Sequence, residues 1–313
     1  MEKLNAILVT GAAGFIGSNL VKRLVADGRQ VCVLVKPSTN LARIQELLPK
    51  ITCCRADLLD FDGLKRELEE IRPQGVFHLA ASNIQSGVTA EDSEVAETNI
   101  LGTRNLLQAL GGINYDFFIN LGSFLEYGPK SGPIKESELC APPELYSITK
   151  LAATLYGQAV ARRDNKPIIT FRLFTPYGPA VQPGRLIYEV ITRALRNEEI
   201  SLTQPKVARD FIFVEDLIEL LLEAKDKAKN YQGEIFNAGS GQAITLESVV
   251  NEVLKITGSK SRINWGAFKS VAYDNEFWQA DLSKTCANFA WRPTHTLSSG
   301  LIETIDWFKK FAK

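Results

Sequence analysis

Tyr146 and Lys150 lie four residues apart in a segment with a helical pattern, 144–164, so both side chains project from one face of the helix. A tyrosine is a poor proton donor at neutral pH unless its phenolate is stabilised, and a neighbouring ammonium group favours the phenolate. The pair therefore suits general acid catalysis. The spacing alone proves little, because eight tyrosines in a chain of this composition give about one half of such a match by chance.

Three glycines follow the first apolar run, in the stretch AILVTGAAGFIGSNLVKRL (6–24). Gly11 permits a tight turn, Gly14 lets the backbone approach a pyrophosphate, and Gly17 allows the helix to pack closely on the strand. The helix predicted from residue 16 offers unpaired N–H groups and a positive dipole end to phosphates. A mononucleotide loop would need Lys and then Ser or Thr after the last glycine, which this chain lacks. The alternatives are a dinucleotide site and a tight turn with nothing bound.

The end of the second predicted strand indicates which dinucleotide would bind. A dinucleotide-binding fingerprint has Asp or Glu about 20 residues after the glycines, where it bonds the adenosine ribose. Here Lys36 stands at that place, and no carboxylate occurs between Asp27 and Glu46. Lys36, Ser38 and Arg43 offer two cations and a hydroxyl, which suit a 2′-phosphate. The sequence therefore predicts NADP(H), with a solvated loop carrying incidental charges as the alternative.

Apolar, β-rich stretches alternate with helix-like segments through the first half of the chain. Continuous apolar strands separated by amphipathic helices are typical of a parallel sheet covered on both faces, which is the doubly wound α/β class. The strands are predicted near 6–10, 30–35, 51–55, 75–79, 116–121 and 167–174, and the helices at 16–27, 60–71, 93–110 and 144–164.

This regularity fades after residue 176, where prolines and glycines cluster. We predict a dinucleotide-binding Rossmann domain over 1–176, to which 209–240 returns, and a smaller α/β C-terminal substrate lobe over 177–313. Ligands of such folds bind at the carboxyl ends of the strands, so the site is expected in the cleft between the lobes.

The composition excludes several classes of function. Basic and acidic residues both number 36, so no charge surplus points to nucleic acid. No run is long enough to span a membrane, and residues 1–10 lack the layout of a signal peptide, so a cytoplasmic protein is expected. Five scattered cysteines and two histidines, His78 and His295, predict reduced thiols and no metal site.

Eight short motifs, taken in order, resemble the extended branch of the short-chain dehydrogenase/reductase superfamily, which acts largely on nucleotide sugars. The resemblance covers essentially the whole chain. The motifs are GAAGFIG (11–17), ADLLD (56–60), HLAA (78–81), TNILGTRNLL (98–107), LGSFLEYG (121–128), YSITK (146–150), RLFTPYGP (172–179) and RDFIFVEDL (209–217).

The resemblance implies a catalytic trio in which Ser123 holds the substrate oxygen, Tyr146 donates the proton, and Lys150 supports Tyr146 and contacts the nicotinamide ribose. It implies cofactor contacts from Gly11, Gly14, Phe15, Ile16, Gly17, Lys36, Ser38, Arg43, Asp57, Leu58, Leu79, Ala80, Ala81, Asn99, Tyr146 and Lys150, and substrate contacts from Ser82, Phe124, Arg185 and Arg209.

Structural roles compete with several of these assignments. Asp57 matches the position that bonds the adenine amine, and Asn99 a helix asparagine that shapes the site, but either residue could instead serve as a cap. Arg209 resembles an arginine that grips the nucleotide diphosphate, with an ion pair as the alternative. His78 is expected to be a packed strand residue. Many family members have an arginine where Val271 stands, so the grip on the nucleotide is expected to differ.

The family contains reductases, epimerases and dehydratases. Its dehydratases place an Asp-Glu pair directly after the Ser or Thr, and here those positions hold Phe124 and Leu125. Together with the predicted NADPH, this favours reduction of a 4-keto-6-deoxyhexose nucleotide, and RLFTPYGPAVQPGRLI also resembles synthases of CDP-abequose and CDP-paratose. An epimerase or dehydratase is the alternative. A non-catalytic redox sensor is disfavoured because Tyr146 and Lys150 are both present. By analogy, a homodimer is expected.

Overall fold

The computed structural model describes residues 6–82, 91–268 and 277–311. Val271, at the position where an arginine is missing, lies outside these ranges. The strands are β1 (Ile7–Thr10), β2 (Val31–Val35), β3 (Thr52–Arg55), β4 (Gly75–His78), β5 (Phe117–Ser123), β6 (Ile168–Leu173), β7 (Thr175–Tyr177), β8 (Ile200–Leu202), β9 (Ala208–Phe213), β10 (Ile235–Ala238), β11 (Ala243–Thr245) and β12 (Ile263–Trp265).

Helices separate most of these strands. They are α1 (Phe15–Ala26), α2 (Phe61–Ile71), α3 (Asp92–Ala96), α4 (Thr103–Ala109), α5 (Leu145–Asp164), α6 (Leu186–Arg196), α7 (Val214–Lys227), α8 (Leu246–Thr257), α9 (Ser283–Asn288) and α10 (Leu297–Phe311). The predicted helix 93–110 is interrupted by a π-helical turn, Glu97–Gly102, which a hydrophobic pattern does not distinguish from regular helix.

The main sheet has the strand order β10-β6-β5-β4-β1-β2-β3. Strand β1 pairs in parallel with both β2 and β4, and the pairs β2–β3 and β4–β5 are also parallel. Every residue of β1, β2, β4, β5 and β6 is buried, as the continuous apolar runs require, whereas the edge strand β3 is largely exposed. This is the predicted doubly wound α/β fold.

The chain order of the strands reverses between β1 and β4, which are neighbours in the sheet but far apart in sequence. Loops leave such a pair of strands in opposite directions, so a crevice opens at their carboxyl ends. The glycine turn follows β1 there, and Leu79 and Ala80 follow β4. The topology therefore places these two predicted cofactor segments side by side.

The chain divides into two compact units. The first consists of residues 1–126, 142–172 and 221–236, and the second of 127–141, 173–220 and 237–313. The second unit contains the sheet β11-β9-β7, in which β9 is parallel to β7 and antiparallel to β11, and the parallel pair β8–β12.

None of the helices in the described part of the chain combines the length and the apolar character needed to cross a membrane.

Candidate active site

The turn after β1 needs its glycines for steric reasons. Gly11 has a φ of +66°, and a Cβ there would lie 2.6 Å from the backbone nitrogen of Ala80. A Cβ on Gly17 would collide with the carbonyl oxygen of Gly11. Gly14 is exposed at the start of α1, where a Cβ would approach only the Gly11 oxygen, at 3.1 Å. Two glycines thus let the turn pack, and the third leaves the helix N-terminus open to a ligand.

A cavity of about 390 Å³ lies beside this turn, within the first unit. A space of this volume can hold part of a dinucleotide, and the N-terminus of α1 beside it has backbone N–H groups without a partner inside the helix. The Thr98 hydroxyl is buried in its lining and has no hydrogen-bond partner among the described residues. The lining residues are Thr10, Gly11, Ala12, Ala13, Gly14, Leu34, Val35, Lys36, Thr39, Asn40, Ala56, Leu58, Leu79, Ala80, Ala81, Ser82, Glu94 and Thr98.

Of the two predicted cations, one lines this cavity and the other contacts the glycine turn beside it. Lys36 follows β2 and lines the cavity. Arg43 belongs to a 3₁₀ segment, Ala42–Lys50, and its guanidinium lies 3.5 Å from the carbonyl oxygen of Ala13 in the glycine turn. Ser38 is exposed in the loop between them. The fold thus brings Arg43 to the glycine turn, across 30 residues of sequence.

Asp57 forms a local turn and does not cap a helix. Its Oδ1 accepts a hydrogen bond from the Leu59 N–H at 3.0 Å, and its Oδ2 lies 3.9 Å from the Lys36 ammonium. The cap of α2 is Asp60, which accepts from Gly63 N. Because Asp57 and Lys36 are both more than one third exposed, their ion pair is weak and leaves the ammonium available to a ligand.

His78, at the end of β4, is buried, and its hydrogen bonds select one tautomer of the ring. The Thr103 hydroxyl donates to the carbonyl of Asn99 at 2.7 Å, so it must accept from His78 Nε2, at 2.9 Å. His78 Nδ1 then accepts from the Thr10 hydroxyl at 2.8 Å, and that hydroxyl accepts from Ala80 N. Burial, with the Lys150 charge, lowers the pKa of His78 to about 3. The ring is therefore neutral and structural, as the sequence predicts.

Asn99 lies in the π-helical turn and joins three segments of the first unit. Its Oδ1 accepts from Ser82 N at 2.8 Å, and its Nδ2 donates to Ser82 O at 3.0 Å and to the Thr149 hydroxyl at 2.9 Å. Thr149 in turn donates to the carbonyl oxygen of Tyr146 at 2.8 Å. Asn99 therefore ties the loop after β4 to the helix that carries Tyr146, and it does not cap a helix.

Tyr146 and Lys150 occupy the first two turns of α5. The helix begins with a capping box, in which the Glu144 carboxylate accepts from Tyr146 N and from Ser147 N, both at 3.0 Å. Tyr146 is half-buried and Lys150 is buried. Burial lowers the pKa of Lys150 to about 8, and the negative charge of Glu126 opposes this shift. The ammonium is therefore charged at neutral pH but poised to lose its proton in mild alkali.

Ser123 is the last residue of β5 and is buried. Its hydroxyl accepts from Leu125 N at 3.2 Å, and its backbone N–H donates to Glu126 Oε1 at 2.8 Å. Phe124 is half-buried at the start of a 3₁₀ turn, Phe124–Tyr127, that folds back beneath the strand end. Hydrogen bonds within its own loop therefore hold both the hydroxyl and the backbone N–H of Ser123.

The predicted substrate arginines belong to the second unit. Arg185 is exposed and precedes α6 directly, and Arg209 is half-buried on β9, where its Nη1 donates to Ala208 O. Asp210 is buried on the opposite face of the strand, because successive strand side chains alternate. It accepts from Ser240 N and Oγ at 2.6 and 2.8 Å, and from Gly241 N and Ala280 N at 3.0 Å. Asp210 is therefore not positioned to neutralise Arg209.

Three potential metal ligands, Glu215, His295 and Glu303, converge at the surface of the second unit, within 4.8 Å of one another. His295 Nδ1 also lies 2.9 Å from Asp216 Oδ1. Burial acts to lower the pKa of His295, but the Asp216 hydrogen bond and the surrounding carboxylates outweigh it and raise the pKa. The His295 ring thus lies among carboxylates that favour its protonated form.

Sequence reasoning missed several polar residues of the first unit. Thr98 and Thr149 lie in the motifs TNILGTRNLL and YSITK, and Thr10 directly precedes GAAGFIG, but the motifs do not indicate what these hydroxyls contact. Glu126 and Arg172 lie in the motifs LGSFLEYG and RLFTPYGP, but nothing in either motif indicates that the two residues pair.

The chain is similar over nearly its full length to known enzymes. It is 28% identical over 310 residues to the Bacillus subtilis protein described as "uncharacterized UDP-glucose epimerase YtcB", covering 96% of each chain. The UDP-glucuronic acid 4-epimerase of Bacillus cereus, solved with UDP-glucuronic acid and NAD, superposes with a TM-score of 0.88 at 30% identity, over 97% of this chain and 99% of that one. The Thermotoga maritima UDP-glucose 4-epimerase with UDP-glucose gives 0.90 at 27%, over 98% and 100%.

The family model described as "NAD dependent epimerase/dehydratase family" matches residues 7–239. This range contains the glycine turn, the cavity lining, Ser123 at the end of β5 and the Tyr146–Lys150 pair on α5. The chain is therefore a member of the NAD-dependent epimerase/dehydratase family of nicotinamide-cofactor enzymes.

Proposed function

We propose that this chain reduces the 4-keto group of a nucleotide-linked 6-deoxyhexose, with NADPH as the reductant. The observation that carries the proposal is the pair of cations beside the cofactor cavity. Lys36 lines the cavity, and the Arg43 guanidinium reaches the glycine turn. Guanidinium and ammonium groups at the end of β2 favour a 2′-phosphate, where NAD-specific sites place a carboxylate. NADPH taken from solution suits net reduction.

The loop after Ser123 supports reduction over dehydration. Elimination of water needs a base and an acid close to the reacting carbons. Phe124 and Leu125 cannot act as either, and the next residue, Glu126, is fully buried and bonded to Ser123 N and Arg172. Among the first residues after Ser123, therefore, no carboxylate is available for proton transfer at the sugar.

The proposed roles of the trio follow from their chemistry. Bound NADPH supplies the hydride that adds to the carbonyl carbon. The Ser123 hydroxyl donates a hydrogen bond to the ketone oxygen, and Tyr146 transfers its phenolic proton to that oxygen as the alcohol forms. The cationic Lys150 stabilises the resulting phenolate, which regains a proton from water. One hydride and one proton thus convert the ketone into an alcohol.

Epimerisation is the second candidate, favoured by the likeness to the Bacillus cereus 4-epimerase solved with NAD. An epimerase oxidises and re-reduces its substrate within one turnover, so it consumes no cofactor. The two reactions are therefore separated by their stoichiometry. The purified protein is mixed with NADPH and CDP-, dTDP-, UDP- and GDP-linked 4-keto-6-deoxyhexoses. Loss of one NADPH per 4-hydroxy product supports reduction. Conversion of the 4-hydroxy sugars UDP-glucose or UDP-glucuronic acid to their C4 epimers, in a parallel mixture with NAD and with no net change in the cofactor, supports the second candidate.

The cofactor preference is tested by fluorescence titration with NADPH and NADH. We expect tighter binding of NADPH, and we expect the variant K36A/R43A to lose roughly ten- to hundredfold in NADPH affinity while NADH affinity changes little. Lys65→Ala, which removes an exposed lysine on α2, is the matched control. Comparable or tighter NADH binding by the unmodified protein contradicts the proposed cofactor.

The role of Tyr146 is tested by Tyr146→Phe. General acid catalysis typically contributes about 10²- to 10⁴-fold, so turnover should fall by that factor while NADPH affinity is retained. Near-normal turnover of this variant would rule out Tyr146 as the proton donor.

We also propose a homodimer formed through α5. Ile148 and Leu155 lie two helical turns apart on one face of α5 and are 48% and 53% exposed, and Leu101 of the π-helical turn is 44% exposed. A second copy would cover these apolar side chains. Light scattering after gel filtration should give twice the chain mass, and Leu155→Arg should shift the protein toward the monomer.

A further inference from the structure

An ion pair is buried in the interior of the first unit, beside the end of β5 that carries Ser123. The Glu126 carboxylate and the Arg172 side chain are 0% and 3% exposed, and Arg172 Nε donates to Glu126 Oε2 at 2.8 Å. Taking two charges out of water costs several kcal/mol each, and their attraction only partly offsets that cost. Apolar residues of similar volume would fill the same space at a lower cost in the free energy of folding. The ion pair therefore points to a role other than stabilising the fold.

The contacts of Glu126 indicate that purpose. Its Oε1 accepts from the backbone N–H of Ser123 at 2.8 Å and from the Thr154 hydroxyl at 3.1 Å. Thr154 lies one turn after Lys150 on α5. One carboxylate therefore joins the residue at the end of β5 to the helix that carries Tyr146 and Lys150. Oε1 accepts from donors on β5 and α5, and Oε2 accepts from a donor on β6.

The charge of Glu126 also acts on Lys150. Burial lowers the pKa of the lysine, and Glu126 is the group that opposes this shift. The remaining groups around Lys150 do not replace it. His78 on β4 is neutral, and Asn99 on the π-helical turn carries no charge. The carboxylates of α3 and of that turn, Glu94 and Glu97, are exposed to solvent and therefore screened.

We propose that Glu126 is a positioning residue that acts through Ser123 and Lys150, holding the strand end in place and keeping the buried lysine cationic, while Arg172 orients its carboxylate. This inference rests on the proposed function for the roles of Ser123 and Lys150. Without the charge of Glu126, Lys150 would release its proton at lower pH, and the Tyr146 phenolate would lose its stabilising cation.

The test follows Lys150 directly and needs no substrate. Protein is labelled with ¹³C at the lysine Cε, the Lys150 signal is assigned by its absence in Lys150→Met, and its chemical shift is followed from pH 6 to 11. In the unmodified protein the midpoint should lie near pH 8. In Glu126→Gln it should lie about one pH unit lower. The amide oxygen of the glutamine in that variant would still accept the hydrogen bonds of Ser123 and Thr154, so a loss of structure alone does not produce the shift.

Two further variants separate charge from packing. The variant E126Q/R172Q removes both charges and leaves two neutral side chains that can hydrogen-bond to each other. If Glu126→Gln does not fold, the Lys150 midpoint of this double variant is measured in its place. It should show the same lower midpoint, because Arg172 is not among the groups that shift Lys150. Thr154→Val removes a hydrogen bond from the same carboxylate without a charge and should leave the midpoint unchanged. An unchanged midpoint in the folded double variant overturns the proposal.

A kinetic readout connects the inference to the reaction. The alkaline limb of kcat against pH should move to lower pH in Glu126→Gln by the same amount as the NMR midpoint. A shifted midpoint in a protein that reduces none of the keto sugars refutes the proposed substrate and leaves the action of Glu126 on Lys150 standing. An unshifted midpoint in an active protein refutes the role of Glu126 and leaves the reaction standing.

Discussion

The two units each bury a carboxylate beside a proposed functional residue, and they accommodate its charge in different ways. Glu126, next to Ser123, is paired with the Arg172 guanidinium. Asp210, next to Arg209, accepts from three backbone N–H groups and the Ser240 hydroxyl. Burial raises the pKa of Asp210, and these donors oppose that rise. The Glu126 carboxylate thus has a cationic partner, whereas the donors around the Asp210 carboxylate are neutral.

This difference indicates what each carboxylate does. The dipoles around Asp210 belong to the loop 240–241 and to Ala280, so its hydrogen bonds hold irregular backbone against β9. The partners of Glu126 come from β5, α5 and β6, which are already regular elements. Asp210 is therefore needed for the local fold, whereas Glu126 also supplies a charge to its surroundings.

The largest effect is expected from Arg172→Met, which leaves the Glu126 charge buried without its guanidinium. Removing one partner of a buried ion pair costs about 3–5 kcal/mol. Urea denaturation should show that loss in the free energy of unfolding. Arg163→Met is the control, because its pair with Asp164 is exposed and its removal should leave the midpoint unchanged. Equal midpoints for Arg172→Met and the unmodified protein would show that the buried pair contributes nothing.

A somewhat smaller loss is expected from Asp210→Asn. The amide can replace only one carboxylate oxygen, and its NH₂ group then faces either the Ser240 donors or the N–H groups of Gly241 and Ala280. An unsatisfied buried donor costs about 1–3 kcal/mol, and the same denaturation should show a loss of this size in the free energy of unfolding. Ser240→Ala removes a single hydrogen bond and should cost less. If Asp210→Asn is neutral, the dipoles do not hold the loop in the way proposed.

Lys150→Met should stabilise the protein at neutral pH, in contrast to both variants above. The pKa of Lys150 falls from 10.5 in the unfolded chain to about 8 in the folded protein. The unfolded chain therefore binds more protons between these values, and the stability of the unmodified protein rises with pH through that window. Methionine removes the buried charge, so a gain of roughly 1–3 kcal/mol is expected at pH 7. The gain should shrink toward pH 10, whereas Lys65→Met should show no such trend.

The smallest effect is expected from Thr154→Val, which removes one of the hydrogen bonds to Glu126. The free energy of unfolding should fall by about 1 kcal/mol. A loss as large as that of Arg172→Met would mean that hydrogen bonding, and not charge, secures Glu126.

The sequence predicted those features of the fold and of the candidate site that depend on the local spacing of residues. The three glycines predicted the turn after β1, and the i,i+4 pair predicted one helix face for Tyr146 and Lys150. The apolar runs predicted the strands of the main sheet within a few residues. Each of these features is determined by residues that lie close to one another in the sequence.

Features that depend on distant partners were not predictable. Glu126 and Arg172 are 46 residues apart, and Asn99 reaches Thr149 across 50. The π-helical turn at Glu97–Gly102 that holds Asn99 has the same hydrophobic pattern as an α-helix. Whether Asp57 faces Lys36 or a ligand depended on how two loops fold. Such contacts follow from the assembled sheet, and no short window of sequence contains them.

The chain of hydrogen bonds through His78 makes that residue a spectroscopic reporter. The protein has two histidines, and they fall in different units. Histidine labelled with ¹⁵N therefore gives two ring spectra. His78 should show a single Nε2–H tautomer with a slowly exchanging proton across the working pH range, and His295 should titrate. Because Thr10 contacts His78 and also lines the cofactor cavity, the His78 resonances should move when a dinucleotide binds, which gives a direct binding signal without an enzymatic assay.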